Sequence, residues 1–146
     1  MEIVPMTYDD ITQIAAIEQQ CFSDPWSEKA FADEMNNPLA VYLVAKDNGM
    51  CAGYCGFWNV SGEGGITNVA VAPEYRQKGV GTQLIKKMVE QAIEMQLSLL
   101  TLEVRVSNQA AQRLYEKFGF EKVGIRPNYY SNPRENAWIM TKNLDA

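Results

Sequence analysis

The sequence predicts a mixed α/β (α+β) domain in which a mostly antiparallel central sheet is flanked by helices. Three observations predict it. Through the middle of the chain, short runs rich in β-branched and aromatic residues lie between tight-turn signals. The apolar period then switches to that of an amphipathic helix from Gly81 to Met95. A strand, a helix and two closing strands follow, so the order is ββα, then βα, then ββ around one sheet.

The elements follow in order. A short strand is expected near Glu2 to Met6, and Thr7 then precedes a helical pattern in which Ile11, Ile14, Ala15 and Phe22 recur at helical spacing. Ser23-Asp24-Pro25 breaks that helix. Ser27 has the position of an N-cap for a second short helix with Ala30, Phe31 and Met35 on one face, which Asn36-Asn37-Pro38 ends. Ala40 to Ala45 reads as a strand, Asp47-Asn48-Gly49 as a hairpin turn, and Ala52 to Val60 as the return strand. Ser61-Gly62-Glu63-Gly64-Gly65 reads as another turn before a strand from Ile66 to Val71, which completes an antiparallel meander. In the long helix Leu84, Ile85, Met88, Val89, Ala92 and Ile93 form the apolar stripe. Leu99 to Val106 is a strand, and Asn108 to Phe118 a helix ending at Gly119, a C′ glycine. Phe120 to Arg126 and Ala137 to Lys142 are the closing strands.

The 146 residues are the length of one domain, taken as 1–146, with no repeat or linker. No run approaches the ~18 apolar residues of a membrane span, and Met1 to Pro5 lacks the features of a signal peptide. The expectation is a cytoplasmic protein with no membrane partner. A net charge of −5 argues against nucleic acid and favours a basic substrate, although mild acidity also serves plain solubility. Cys21, Cys51 and Cys55 form no disulfide framework; Cys51 and Cys55, four apart in a strand, are expected to share a face as buried thiols. The chain has no histidine, so no metal site is expected. Any general base must then be a carboxylate, Tyr, Lys, Cys or a water.

The segment Val69 to Tyr75 leads from a strand into Arg76-Gln77-Lys78-Gly79-Val80-Gly81-Thr82, which opens the long helix. Glycines at 79 and 81 remove side chains where an anion would approach backbone N–H groups. The first helical turn leaves its N–H groups free, and the helix dipole favours negative charge there. Arg76 and Lys78 add positive charge. The loop is neither a Walker A loop nor the Gly-x-Gly-x-x-Gly of dinucleotide folds, since position 84 is Leu. A lone Gly-x-Gly could be a plain strand-to-helix turn; the basic pair and the strand before it favour a pyrophosphate cradle.

The run Asn-x-Ala-Val-x-Pro-x-x-Arg-x-x-Gly-x-Gly, present from Asn68 to Gly81, resembles the acetyl-CoA motif of the GCN5-related N-acetyltransferases (GNAT), and the resemblance extends over nearly the whole chain. It implies the GNAT fold and acetyl-CoA as co-substrate. It also implies that the backbone of Val69, Ala70 and Val71 pairs with pantetheine, and that Arg76, Gln77, Lys78, Gly79, Val80, Gly81 and Thr82 hold the pyrophosphate.

Beyond the loop, Leu100, Leu102, Val104 and Val106 face one way and Thr101, Glu103 and Arg105 the other. A carboxylate in a central strand costs free energy unless it is paired or used. Glu103 is thus either a working carboxylate, an ion-pair partner of Arg105, or a residue on a water-facing edge. Asn108 is placed as an N-cap, which does not exclude a bond to pantetheine. Ala111, Leu114, Tyr115 and Phe118 form one helical face, so Tyr115 points inward, either as a core aromatic or as an acid.

Glu103-Val104-Arg105-x-Ser107-Asn108, Leu114-Tyr115-Glu116, Phe118-Gly119-Phe120, Arg126-Pro127-x-Tyr129-Tyr130, Asp24-Pro25-Trp26-Ser27 and Ala137-x-Ile139-Met140 together are similar to the bacterial ribosomal-protein-alanine N-acetyltransferases of the RimI type. That resemblance implies acetylation of the N-terminal alanine of small-subunit ribosomal protein eighteen, with the protein's N-terminal peptide as partner, Glu103 as proton acceptor and Tyr115 as proton donor. A backbone N–H near Val71 is the expected oxyanion donor. Tyr129, Tyr130 and Trp26 are candidates for the walls of a peptide groove. One departure is Asn136, where that group usually has an acidic residue two before Trp138. Two other readings stay open: an acetyltransferase of a small amine, and a non-catalytic acyl-CoA-binding module.

Overall fold

A computed structural model describes residues 1–145. The chain runs β1 (Glu2–Pro5), α1 (Ile11–Cys21), α2 (Glu28–Met35), β2 (Ala40–Asp47), β3 (Met50–Val60), β4 (Glu63–Val71), α3 (Val80–Glu94), β5 (Leu99–Arg105), α4 (Gln109–Lys117), β6 (Glu121–Tyr130) and β7 (Glu135–Asn143). The seven strands form one sheet in the order β1-β2-β3-β4-β5-β7-β6. Every neighbouring pair is antiparallel except β4 and β5, which are parallel. This is the mixed, mostly antiparallel sheet expected from the sequence, and β5 is an interior strand.

Local chemistry sets the element ends. The Ser27 hydroxyl accepts from the Ala30 N–H at 3.1 Å and starts α2. Asn48 (φ 50°) and Gly49 (φ 85°) make a two-residue turn between β2 and β3, with the doubly positive φ that suits the twist of a hairpin. Ser61 (φ 53°) and Gly62 (φ 85°) repeat that turn between β3 and β4. The five-residue turn expected at Ser61–Gly65 is therefore two residues, and Glu63, Gly64 and Gly65 belong to β4. A short turn suffices because both central residues adopt the left-handed conformation. The last hairpin is also longer than expected: β6 extends to Tyr130 and β7 begins at Glu135.

The helices cover both faces of the sheet. On one face α3 packs Leu84, Ile85 and Met88 against Phe57, Leu100, Leu102 and Met140. On the other, α1 and α2 place Ile14, Ile17 and Phe31 against Val44, Tyr54 and Ala70. Each such fully buried side chain is worth roughly 1.5–3 kcal/mol.

Two bulges break the regular alternation. At the first, Ala45 pairs with Gly53 but Lys46 pairs with Cys51, so Ala52 is an extra residue in β3. Cys51 and Cys55 consequently lie on opposite faces, Cys51 in the α1 cluster and Cys55 in the α3 cluster, where strict alternation had placed them together. At the second, Gly56 pairs with Asn68 but Phe57 pairs with Ile66, leaving Thr67 as the extra residue of β4.

Candidate active site

The parallel strands β4 and β5 pair only over Glu63–Gly65 and Leu99–Thr101. Gly64 marks this seam: a Cβ there would lie 2.5 Å from Cδ2 of Leu100. Past the seam comes the Thr67 bulge, and the strands separate. The gap between them is a cleft of about 1110 Å³. Its walls include Asn68 and Val69 of β4, Glu103 and Arg105 of β5, and Asn108 and Tyr115 from α4 and its cap.

Backbone direction in β4 follows from one bond. The Ala72 N–H donates to the Ala52 carbonyl at 2.8 Å, so Ala72 points its polar groups at β3. Polar groups alternate along a strand, so the N–H and C=O of Val69 and Val71 point away from β3, toward the gap. The Val71 carbonyl there accepts from Cys21 Sγ (3.4 Å) and from Arg76 Nε (3.3 Å). Val69 and Val71 thus offer an extended ligand a strand edge. Ala70 is turned the other way, into the α1 cluster.

The loop Arg76–Thr82 lies beyond the end of β4 and forms no part of the cleft walls. Gln77 (φ 62°) and Gly79 (φ 79°) are both left-handed, and Gly79 caps α3 without any side-chain bond. The first intrahelical bond at this end runs from the Gln83 N–H to the Gly79 carbonyl at 3.1 Å, which leaves the N–H groups of Val80, Gly81 and Thr82 without a helical acceptor. The two glycines do different work. A Cβ on Gly79 would meet nothing within 4 Å, so that glycine serves conformation. A Cβ on Gly81 would lie 3.2 Å from Cδ2 of Leu114, so Gly81 lets α4 approach α3. Lys78 sits near the ring of Tyr75, 5.7 Å from its centroid.

Glu103 lies on the cleft side of β5. Its Oε1 accepts from Arg126 Nε at 3.2 Å, and its backbone carbonyl accepts from the Tyr130 hydroxyl at 3.1 Å. Arg105 does not pair with it. Arg105 binds Glu135 at 3.1 Å and the carbonyls of Ser131 and Pro133, and packs over the Tyr130 ring at 4.3 Å. The reason is register: the β6–β7 hairpin brings Glu135 to one end of β5 and Arg126 to Glu103. Glu135 also accepts from the Ser107 N–H at 2.7 Å, and these bonds hold its carboxyl below the usual carboxylate range. Asn136 accepts from the Asn128 N–H at 2.9 Å, a contact inside the same hairpin. Trp26, Tyr129 and Tyr130 all line the cleft, with Tyr129 and Tyr130 edge to face at 5.0 Å.

Tyr115 enters from α4, 8% exposed and packed against Phe120 at 5.6 Å. Burial pushes its hydroxyl well above the ordinary tyrosine value, so it stays protonated near neutral pH. Asn108 caps α4, accepting from the Ala111 N–H at 3.2 Å, and also lines the cleft. Gln112, which the sequence reading passed over, is buried and donates to the carbonyls of Arg105 (3.0 Å) and Val106 (3.1 Å), fixing α4 to the end of β5.

The sequence reading also passed over Glu18. It is 2% exposed, yet it borders the cleft. Its carboxylate accepts from the Tyr54 hydroxyl, from the Trp26 N–H at 3.1 Å and from Asn68 Nδ2 at 3.2 Å. The signal was present: Glu18 follows Ile14 by four residues, which places it on the buried face of α1. Among the described residues no cluster of three His, Cys, Asp or Glu side chains could hold a metal, and no helix is long and apolar enough to cross a membrane.

A sheet that splits between two parallel strands, with a helix N-terminus beyond the split, defines a GNAT acetyltransferase. Residues 11–120 match the Acetyltransferase (GNAT) family; the chain belongs to that family and is an acyltransferase. It is 46% identical over 136 residues to a Bacillus subtilis protein whose name provisionally assigns it as a ribosomal protein bS18-alanine N-acetyltransferase; the match covers 92% of this chain and 90% of that one. It is 36% identical over 133 residues to the ribosomal protein bS18-alanine N-acetyltransferase of Escherichia coli K12, covering 90% and 89%. The crystal structure of the Escherichia coli ribosomal-protein-S18-alanine N-acetyltransferase superposes with a TM-score of 0.92 at 33% identity, over 99% of this chain and 94% of that one.

Proposed function

We propose that this enzyme transfers the acetyl group of acetyl-CoA to the α-amine of the N-terminal alanine of ribosomal protein bS18, acting in the cytoplasm as one domain over residues 1–146. The observation that carries the reading is the split of the sheet, which gives Glu103 and Tyr115 access to one cleft from two different elements. The relatives named above carry the choice of acceptor.

The residues fit acetyl-CoA. The edge of Val69 and Val71 that no strand pairs suits the amides of pantetheine. The free N–H groups of Val80, Gly81 and Thr82, beside Arg76, Gln77 and Lys78, suit a pyrophosphate. Ala70 contributes packing beneath that edge, and Asn108 offers its amide nitrogen. None of these roles calls for a metal, a nucleic acid or a membrane.

A peptide α-amine has a pKa of ~7.7–8.0 and is mostly protonated at neutral pH. Glu103 takes that proton, directly or through a water, and the neutral nitrogen bonds to the acetyl carbonyl carbon. The Val71 N–H faces the gap and stabilises the oxygen that becomes negative. The carbon–sulfur bond then breaks as Tyr115 gives its proton to the leaving thiolate; the nitrogen loses its second proton to water to become the amide, and Tyr115 regains a proton from solvent. Holding both substrates in one cleft supplies much of the remaining acceleration.

The test is thiol release from acetyl-CoA with a panel of acceptors: an alanine-starting peptide of the ribosomal protein, the same peptide with a blocked N-terminus, polyamines and aminoglycosides. Release with the free peptide alone supports the reading. Release with small amines instead, or cofactor binding without release, overturns it.

A further inference from the structure

One buried polar atom in the cleft has no partner. Asn68 is 7% exposed, and its Oδ1 has no hydrogen bond among the described residues. Its other amide atom is committed, since Nδ2 donates to Glu18 at 3.2 Å. The Glu18 carboxylate can only accept there, so this bond fixes which atom of Asn68 is the oxygen. The Tyr54 hydroxyl donates to the same Glu18 oxygen, Oε1. Burial and the nearby Glu18 push the Tyr54 hydroxyl far above its ordinary value, so Tyr54 is a fixed donor. A buried carbonyl left without a donor is costly, so an orphaned acceptor on a cleft-lining residue points to a ligand group.

Its position says which ligand. Asn68 shares a face of β4 with Ala70 and Ala72, which pack under α1 and α2. Val69 and Val71 take the opposite face, with α3. On β5, Leu100, Leu102 and Val104 pack toward α3, so Glu103 projects from the face that carries Asn68. The loop Arg76–Thr82 opens α3 on the other face. The coenzyme's phosphates therefore belong to one side of the sheet, while Glu103, Asn68 and the cleft-lining Trp26 belong to the other.

We propose that Asn68 Oδ1 accepts a hydrogen bond from an N–H of the acceptor peptide's first residues, with Glu18 and Tyr54 as positioning residues that hold the amide in place. This rests on the N-terminal acetyltransferase reading above and adds an acceptor-binding residue to it. Two N–H groups of the acceptor share the required chemistry: that of the α-amine, opposite the one turned to Glu103, and that of the first peptide bond. The atom discriminates against any acceptor that presents a second acceptor oxygen at this point.

The experiment is a cycle between enzyme and substrate. Wild type, Asn68→Leu and Asn68→Ser are compared on three peptides: the alanine-starting peptide, its analogue with an ester in place of the first amide, and its N-methyl-alanine analogue. Acetyl-CoA affinity is measured by calorimetry alongside. The expectation is a roughly 3–10-fold rise in peptide KM for both variants, with acetyl-CoA affinity unchanged. For one of the two analogues, the penalty seen in wild type should shrink by the same factor in the variants, which identifies the donor. Penalties of equal size in wild type and variants for both analogues overturn the proposal, as does a loss that falls on acetyl-CoA. Glu18→Gln should raise peptide KM more than it lowers kcat. If Asn68→Leu does not fold, Asn68→Ser and the peptide pair carry the comparison. If wild type does not acetylate the parent peptide at all, the acceptor reading fails instead, and the two failures are distinct.

Discussion

The Arg126 guanidinium lies 3.2 Å from Oε1 of Glu103, and Arg126 comes from β6, a strand that does not adjoin β5. The contact crosses β7. Glu103 therefore has one oxygen engaged by a half-exposed arginine, and its other oxygen has no hydrogen bond among the described residues. That second oxygen is the one available to an amine. Glu103→Gln should lower kcat by ~10²–10⁴-fold. It should also move the rate optimum upward, because the amine must then lose its proton to solvent with a pKa of ~7.7–8.0. Acetyl-CoA affinity should not change. Turnover measured across pH, with calorimetry of the cofactor, checks both halves.

Tyr115 makes no hydrogen bond through its hydroxyl among the described residues. Tyr115→Phe should therefore leave stability within about 0.5 kcal/mol of wild type while slowing transfer. The raised pKa has a sign: the hydroxyl stays protonated through pH 10, so no alkaline loss of rate below that point belongs to Tyr115. Thermal unfolding and a kcat profile from pH 6 to 10 test the two statements.

The loop glycines should separate under substitution. Gly79→Ala costs about 1–2 kcal/mol for its left-handed backbone and creates no clash. Gly81→Val drives into Leu114 and should cost ~1–3 kcal/mol of stability, shifting α4 with its Asn108 cap. Its loss of acetyl-CoA affinity should exceed that of Gly79→Ala, and Gly81→Val with Leu114→Ala should recover part of it. Calorimetry on the three variants decides this.

Cys21 borders the cleft, and its thiol contacts the Val71 carbonyl and, at 3.3 Å, Arg76 Nη2. Cys55 is fully buried, and burial pushes its thiol up to about 12. A maleimide at pH 8 should label Cys21 first and leave Cys55 unmodified in the native protein. Saturating acetyl-CoA should slow the Cys21 reaction by tenfold or more if pantetheine covers Val71. Mass spectrometry of timed samples reads both results.

Asp10 is 2% exposed and pairs with Lys46. Burial raises its carboxyl, but the Lys46 ammonium and the Thr7 N–H and hydroxyl outweigh that and hold it below 3.8. A lowered folded-state value means that this stabilisation is present above the unfolded value and is lost as pH falls through the folded one. Asp10→Asn should thus cost roughly 1–3 kcal/mol at pH 7, and the difference should narrow as pH falls below about 3.8. Urea unfolding at pH 7 and pH 3 gives the comparison.

The elements were legible because each carries its own period and its own punctuation: the stripe from Leu84 to Ile93, the Asn48-Gly49 turn, the Ser27 cap. The loop and the Glu103 strand were legible for the same reason. What single-strand patterns do not carry is the relation between strands. The extra residues Ala52 and Thr67 interrupt alternation although neither is itself a glycine or proline, and the first of them misplaced the cysteines. The partners of Arg105 and Glu103 depend on how the β6–β7 hairpin lies against β5, which is a long-range register. Glu18 was hidden by its charge, since a carboxylate on an apolar stripe reads as a solvated position until Tyr54, Trp26 and Asn68 are seen around it.

The seam of Gly64 and its two neighbours is the whole ladder between the β1–β4 half of the sheet and the β5–β7–β6 half. Beyond it the sheet leaves one strand position open, and on the proposed reading the pantetheine of acetyl-CoA fills it. A ligand that binds only the folded form at a hundred times its dissociation constant adds about 2.7 kcal/mol to stability. On the proposed reading, the lifetime of this fold against heat and proteases should rise with the supply of acetyl-CoA.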